Sequence, residues 1–319
     1  MRSRAGLIGA AAVVTGALVA CGLDVVGGAD AVEADDPAAG PARPAPEPID
    51  ELGDDDGGAA PTFDASLPDE TPLDGGPSDA GPCSASITEN FAQGLGAWVQ
   101  YGGVARGVSG NNAYAQLIAP DAKSRAAGLF WVPPAGVKAT SFRASFSYYV
   151  ATPYRYWYMG DGLTFAWLTS TGGSALGAGA VTGAGLGLQP GITGSAFALD
   201  GWQNSSIGDV AEPSLSVLGI DPARGNPGSY AWHLAKKGPY RRSDVYDAWR
   251  RIEIVVANGK ATVRFRFSPN GTATTLFDDV TVDAANVVAL GFTAATGGAD
   301  AMGFFVDTVS IELTDATCD

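Results

Sequence analysis

Histidine is nearly absent: the 319 residues contain one, His233, set between Trp232 and Leu234. Those neighbours read as packing or an exposed loop, which disfavours a Ser-His-Asp enzyme, because that chemistry needs a histidine base held beside a nucleophile. Basic surface is scarce as well. Residues 22–82 carry 16 acids against one base, Arg43, while residues 83–319 hold 18 acids and 16 bases. The formal net charge of −15 therefore lies in the early segment, and no basic stripe exists that could neutralise nucleic-acid phosphates. No stretch beyond the first 21 residues has a sustained helical period, and no repeat of propeller or solenoid length is present. Paired carboxylates of the E-x-D-x-x-E kind are also missing. Glu253 stands alone in RRIEIVV, and Asp278 and Asp279 read as part of a turn, so a glycoside hydrolase lacks its acid and nucleophile.

What is present begins with MRSRAGLIGAAAVVTGALVAC: two arginines, an apolar run from Ala5 to Ala20, and small residues before Cys21. This is the layout of an export signal, and the run is short for a spanning helix. Leu18-Val19-Ala20-Cys21 resembles the lipobox of bacterial lipoproteins, which implies lipidation at Cys21 and a membrane anchor. Gly22 after it implies sorting to the outer membrane, facing the periplasm or the cell surface. Residues 22–82 consist mainly of Asp, Glu, Ala, Gly and Pro, with Phe63 the sole aromatic. Such a segment buries too little apolar surface to offset its ordering entropy, and its charges repel, so it reads as an extended tether. With Cys21 assigned to the anchor, Cys83 and Cys318 remain at the two ends of the last segment. They read as a disulfide closing that domain in an oxidising compartment, with two free thiols the alternative.

Residues 83–319 read as strands. Phe142, Ala144, Phe146, Tyr148 and Val150 alternate with polar neighbours, as do Ala261, Val263, Phe265 and Phe267. Near the end, Phe305, Asp307, Val309, Ile311 and Leu313 occupy one set of alternate positions. Period-2 alternation with one polar face predicts half-buried antiparallel strands. Glycine-rich breaks such as TGGSALGAGAVTGAGLG (171–187) separate them, so one large two-sheet sandwich is expected. The aromatic, charged segment 229–249 reads as an insertion, either a solvated hairpin or a partner-facing edge.

Six segments in order carry a resemblance: ENFAQGLGAWVQYGGVAR (89–106), GDGLTFAWL (160–168), GAGLGLQPGITGSAFALDGWQN (183–204), VLGID (217–221), AWRRIEIVV (248–256) and LGFTAATG (290–297). Together they resemble a legume-type (L-type) lectin domain, an antiparallel β-sandwich of the concanavalin A-like jelly-roll class. The resemblance implies a calcium ion held by Asp200, Asn204, Asp209 and the carbonyl of Trp202. Mixed carboxylate, amide and carbonyl oxygens suit the 6–8 hard ligands of Ca²⁺. It implies sugar hydroxyls bound by Asp161, by Asn204 and by a backbone N–H at Gly185, with Gly183 the alternative. Gly298 and Ala299 match the loop that tunes sugar choice, and Trp202, Tyr156 or Trp157 could stack on the sugar. It also implies a cis peptide at Gly160–Asp161. The family's transition-metal site needs a Glu and a His where this chain has Ala198 and Val217. That site is therefore not expected, a pattern nearer to the family's calcium-only animal members.

The expectation is a non-enzymatic, calcium-dependent carbohydrate-binding lipoprotein. A homo-oligomer is compatible with the sequence. An adhesion or structural module with a decayed sugar site is the alternative, and a glycoside hydrolase of the same fold ranks below it.

Overall fold

A computed structural model describes residues 85–152, 160–203, 211–224, 233–267, 271–298 and 302–318. The first strands are β1 (Ser86–Glu89), β2 (Val99–Tyr101), β3 (Ala105–Ser109), β4 (Asn112–Ile118), β5 (Ala126–Trp131) and β6 (Val137–Ala139). There follow β7 (Phe142–Ala151), β8 (Gly162–Ser170), β9 (Thr193–Asp200), β10 (Ser214–Ile220) and β11 (His233–Lys237). The last are β12 (Arg250–Ala257), β13 (Lys260–Arg266), β14 (Thr274–Thr281), β15 (Ala289–Ala295), β16 (Gly303–Leu313) and β17 (Ala316–Cys318). The one α-helix among the described residues, α1, is the four-residue Arg242–Val245.

Two antiparallel sheets face each other. The back sheet runs β14-β13-β12-β7-β16-β4-β3, with β1 also paired to β16, and the front sheet runs β11-β10-β9-β8-β15-β5-β2. The expected sandwich is therefore what forms. The alternating residues of β7 and β13 behave as read: Phe142, Ala144, Phe146, Tyr148, Val150, Ala261, Val263 and Phe265 all enter one core. Its centre is a triangle of rings joining the sheets, with Phe146–Phe165 centroids at 5.1 Å, Phe146–Phe292 at 4.9 Å and Phe165–Phe292 at 5.2 Å. Phe292 is completely buried there. Phe292→Ala should cost about 3–5 kcal/mol, through lost burial and a cavity the rigid strands cannot close. That is a drop in Tm of about 10 °C in a thermal melt.

Three expectations are corrected. In β16 a bulge between Asp307 and Ser310 shifts the register, and Thr308 takes φ +50. Phe304 and Val306 point inward before it, and Val309, Ile311 and Leu313 after it. Phe305 instead joins Tyr114, Tyr149 and Trp249 in a separate aromatic cluster. One extra residue moves every later side chain to the other face, so an unbroken alternation misassigns the half before the bulge. Asp278 and Asp279 are not in a turn but inside β14, beside an irregularity in its pairing with β13. The described part of the 229–249 insertion is no free hairpin: β11 pairs with β10 and forms the edge of the front sheet.

The first strand pairs with β16, the last but one, whereas β17 pairs with β6 in a small separate sheet. β1 pairs with β16 from Ser86↔Glu312 to Glu89↔Val309, and the Leu313 N–H donates to the Ala85 carbonyl at 2.9 Å. Cys318 ends β17, while Cys21 and Cys83 lie outside the described residues.

Candidate functional site

The front sheet's outward face is built from small residues. In register across β15, β8, β9 and β10 stand Gly291-Ala166-Ala196-Leu218, then Thr293-Thr164-Ala198-Ser216, then Ala295-Gly162-Asp200-Ser214. Small side chains let the glycine-rich loop of residues 171–192 lie close on the sheet. Leu186, Leu188 and Ile192 pack with Ala166, Ala196 and Ala198. The Thr293 hydroxyl donates to the Leu186 carbonyl at 2.6 Å and meets the Thr164 hydroxyl at 2.6 Å, and the Tyr101 hydroxyl donates to the Gly187 carbonyl at 2.7 Å. These contacts fix the short 3-10 turn Gly183–Gly185 over the ends of β8 and β15.

Asp161 stands under that turn. Its N–H donates to the Ala295 carbonyl at 3.0 Å, and its carbonyl accepts from the Gly201 N–H at 2.7 Å. The Gly160–Asp161 peptide is cis, as the resemblance implied. The residue is 6% exposed, and among the described residues its sealed Oδ2 atom has no hydrogen-bond partner. Burial pushes this carboxyl up to about 6, because the charged form has lost its water. Two glycines leave space against it. A Cβ on Gly297 would stand 3.2 Å from Oδ2, and one on Gly183 would stand 3.5 Å away.

The two glycines read as the backbone donor are both engaged within the chain, Gly183 giving its N–H to the Thr296 carbonyl at 3.4 Å. Gly185 donates its N–H to Thr182 within the turn, at 3.3 Å, whereas Gly183 is the residue at the carboxylate. Gly183 holds φ +62, a conformation glycine adopts without strain. Gly298 ends the described part of the opposite loop, and Ala299 lies outside the described residues. Trp202 packs close by: a Cβ on Gly160 would sit 2.9 Å from its Cβ and 3.5 Å from its ring carbon Cγ. Tyr156 and Trp157 lie outside the described residues.

Asp200 ends β9, opposite Gly162 on one side and Ser214 on the other, and is 5% exposed. Its Oδ1 accepts the Trp202 N–H at 3.0 Å, turning the chain so that the Trp202 carbonyl belongs to the loop that follows. Asn204 and Asp209 lie outside the described residues. Sequence reasoning missed Glu212, whose Oε2 accepts the Gln203 N–H at 3.0 Å at the foot of the same loop. The available signal was position: it is the first acid after Asp209, at the entry to β10. Beneath lies Tyr246, 2% exposed, its phenol raised well above the usual range by burial first and by the Asp200 charge second. The donors present are all oxygen, which fits a hard ion such as Ca²⁺. Among the described residues no three His, Cys, Asp or Glu side chains converge on one metal position.

The transition-metal positions are apolar. Ala198 is fully buried, and Val217 pairs with Phe197 and points into the main core. The β10 side chain that shares Ala198's face is Ser216, 1% exposed and without a partner for its hydroxyl among the described residues. His233 opens β11, opposite Leu218. Glu253 lies on the back sheet, in an ion pair with Arg266 at 3.2 Å.

No family model matches the chain, and no curated protein does. Solved structures do. The VIP36 exoplasmic/lumenal domain, in its Ca²⁺/Man3GlcNAc-bound form, is similar at 14% identity and TM-score 0.53, over 73% of this chain and 97% of that one. Basic winged bean lectin with Tn-antigen is similar at 17% identity and TM-score 0.54, over 74% and 99%. The metal-free form of lectin I-B4 from Griffonia simplicifolia is similar at 15% identity and TM-score 0.54, over 73% and 99%. The likeness is one of fold: this is the antiparallel jelly-roll sandwich of the legume-lectin type.

The site geometry makes a direct prediction. Gly297→Val would put methyl groups into the space before Asp161. Ligand affinity should fall at least tenfold in a binding titration while the thermal melt stays cooperative.

Proposed function

We propose that residues 83–319 form a lectin-like domain that binds carbohydrate, with Asp161 as the hydroxyl acceptor and a calcium ion holding the neighbouring loop. The observation that carries this reading is the buried Asp161 carboxylate, unpartnered at Oδ2 among the described residues and walled by Gly183 and Gly297. A buried carboxylate needs donors. Sugar hydroxyls supply them, and an ionised carboxylate accepts two. The amide of Asn204 adds a donor, a backbone N–H of the 183–185 turn would exchange its intrachain bond for the sugar, and Trp202 would turn a ring face to the sugar's apolar side. When bound, calcium would be held by Asp200, Asn204, Asp209 and the Trp202 carbonyl, and would supply rigidity rather than reaction chemistry.

Support also comes from the neighbours in fold: the VIP36 domain is described in a Ca²⁺/Man3GlcNAc-bound form and the winged bean lectin with Tn-antigen. The N-terminal features extend the reading to an exported protein anchored through lipid on Cys21 to an outer membrane. Residues 22–82 act as its tether, and Cys83 and Cys318 form a disulfide. A glycan array probed with the full chain in calcium tests the function. Binding to a defined set of glycans that is lost in EGTA is expected; an array dark in calcium would overturn it.

A further inference from the structure

The connection between β11 and β12 is fastened to the chain that enters β10 beside Asp200. The Tyr240 N–H donates to the Pro213 carbonyl at 2.9 Å. A Cβ on Gly238 would stand 3.1 Å from the Ser214 Cβ and 3.2 Å from the Ala211 and Pro213 carbonyl oxygens. Ser214 is the cross-strand partner of Asp200, and Glu212 accepts the Gln203 N–H at 3.0 Å. The other end of the connection is locked to the back sheet. The Tyr148 hydroxyl donates to the Val245 carbonyl at 3.1 Å, and the Asp247 N–H donates to the Val150 carbonyl at 2.9 Å. Arg250 donates to the Asp244 carbonyl through Nε at 2.7 Å and also to the Ser243 carbonyl.

Tyr246 lies between these two anchorages. Its N–H is engaged by the Arg242 carbonyl at 2.7 Å, and its ring belongs to the main core. Its hydroxyl oxygen is sealed from solvent, with no hydrogen-bond partner among the described residues. A phenol held in this way costs stability, because it has given up its bonds to water without replacement. A phenylalanine would fill the core as well, so the hydroxyl calls for another reason. The charges of Asp200, Arg242 and Glu212 all act on it, which places it within reach of the proposed ion site.

We propose that Tyr246 is a positioning residue for the calcium site, its hydroxyl holding a water molecule of the ion's shell. This rests on the calcium reading above. Three side chains and one carbonyl leave part of the 6–8 oxygen shell to water, and a water on the ion keeps its direction through a second partner. A phenol oxygen accepts such a bond. Tyr246 is not a ligand itself; it acts through that water, from a segment braced on both sheets.

The experiment titrates calcium calorimetrically into the full chain, as wild type and as Tyr246→Phe, after metal is removed with EGTA and dialysis. Both proteins are also melted without metal. The variant keeps the ring and loses only the hydroxyl. It should bind calcium about fivefold more weakly, the worth of one hydrogen bond. Its metal-free melt should instead move up by a few degrees, because the sealed polar group is gone. A purely structural hydroxyl would leave the calcium affinity unmoved. Equal affinities in the two proteins, or a variant that melts lower without metal, would overturn the proposal. Asp200→Ala in the same titration separates the two ideas. Calcium binding lost in that variant but unchanged in Tyr246→Phe removes the role of Tyr246 and keeps the ion site. No calcium heat from wild type removes the ion reading and this proposal with it.

Discussion

Asp161→Asn is expected to abolish glycan binding, by 100-fold or more, while making the ligand-free domain more stable. Two hydroxyl bonds to a charged acceptor are each worth about 1.5–3 kcal/mol, so losing the charge and one acceptor oxygen removes most of the affinity. The stability effect has the opposite sign. Burial raises this carboxyl from 3.8 to about 6, so the folded state holds the proton more tightly than the unfolded chain does. At pH 7 the ionised group therefore weighs against the fold, by about 2–3 kcal/mol. That penalty shrinks as pH falls through 6 and is gone below the unfolded value. Asn carries no such penalty, so its Tm at pH 7 should rise by a few degrees, and the gain should vanish near pH 4. Wild-type affinity should follow the carboxylate, full above pH 7 and falling below pH 6. Melts and titrations at three pH values check all of this. A stabilised variant that still binds would separate Asp161 from the ligand.

The second large effect concerns the ion. Calcium at 100 times its dissociation constant should stabilise wild type by about 2.7 kcal/mol, a Tm rise of roughly 5–10 °C. Asp200→Ala should eliminate that rise and reduce glycan binding below detection, because the Trp202 N–H loses its acceptor as the ion loses a ligand. EGTA added to wild type should reproduce both results. The same concentration of Mg²⁺ should not replace calcium, since it demands a smaller and more regular oxygen shell. An equal calcium shift in wild type and Asp200→Ala would place the ion elsewhere.

Much of the sandwich is legible in the residues, because burial on one face writes period-2 alternation directly into strands such as β7 and β13. The failures share a cause. The bulge in β16 preserves an alternating string, Phe305 to Leu313, while the backbone slips between Asp307 and Ser310. Only the pairing partner reveals the slip. The bulged part of β14 hides in the same way, because Asp278 and Asp279 are turn formers by composition yet lie inside the strand, in the irregularity between Phe277 and Val280. β11 escaped notice because a lysine-bearing edge strand answers to its neighbour β10, distant in the sequence reading, rather than to a core.

The site divides likewise. Asp161 and Asp200 could be singled out only through the ordered segments around them, and they stand at neighbouring strand ends, with Gly162 opposite Asp200. Spacing does not separate Gly183 from Gly185, because both lie in one 3-10 turn whose fold sets how far each stands from the carboxylate. Glu212 was invisible for the same reason: its contact is a backbone N–H brought to it by the fold.

The most direct measurement is a crystal structure of the protein grown with calcium and its strongest array ligand. It should show hydroxyl oxygens of the ligand within hydrogen-bond distance of the Asp161 carboxylate, between Gly183 and Gly297. A ligand bound elsewhere, with that carboxylate still lacking a partner, would contradict the account.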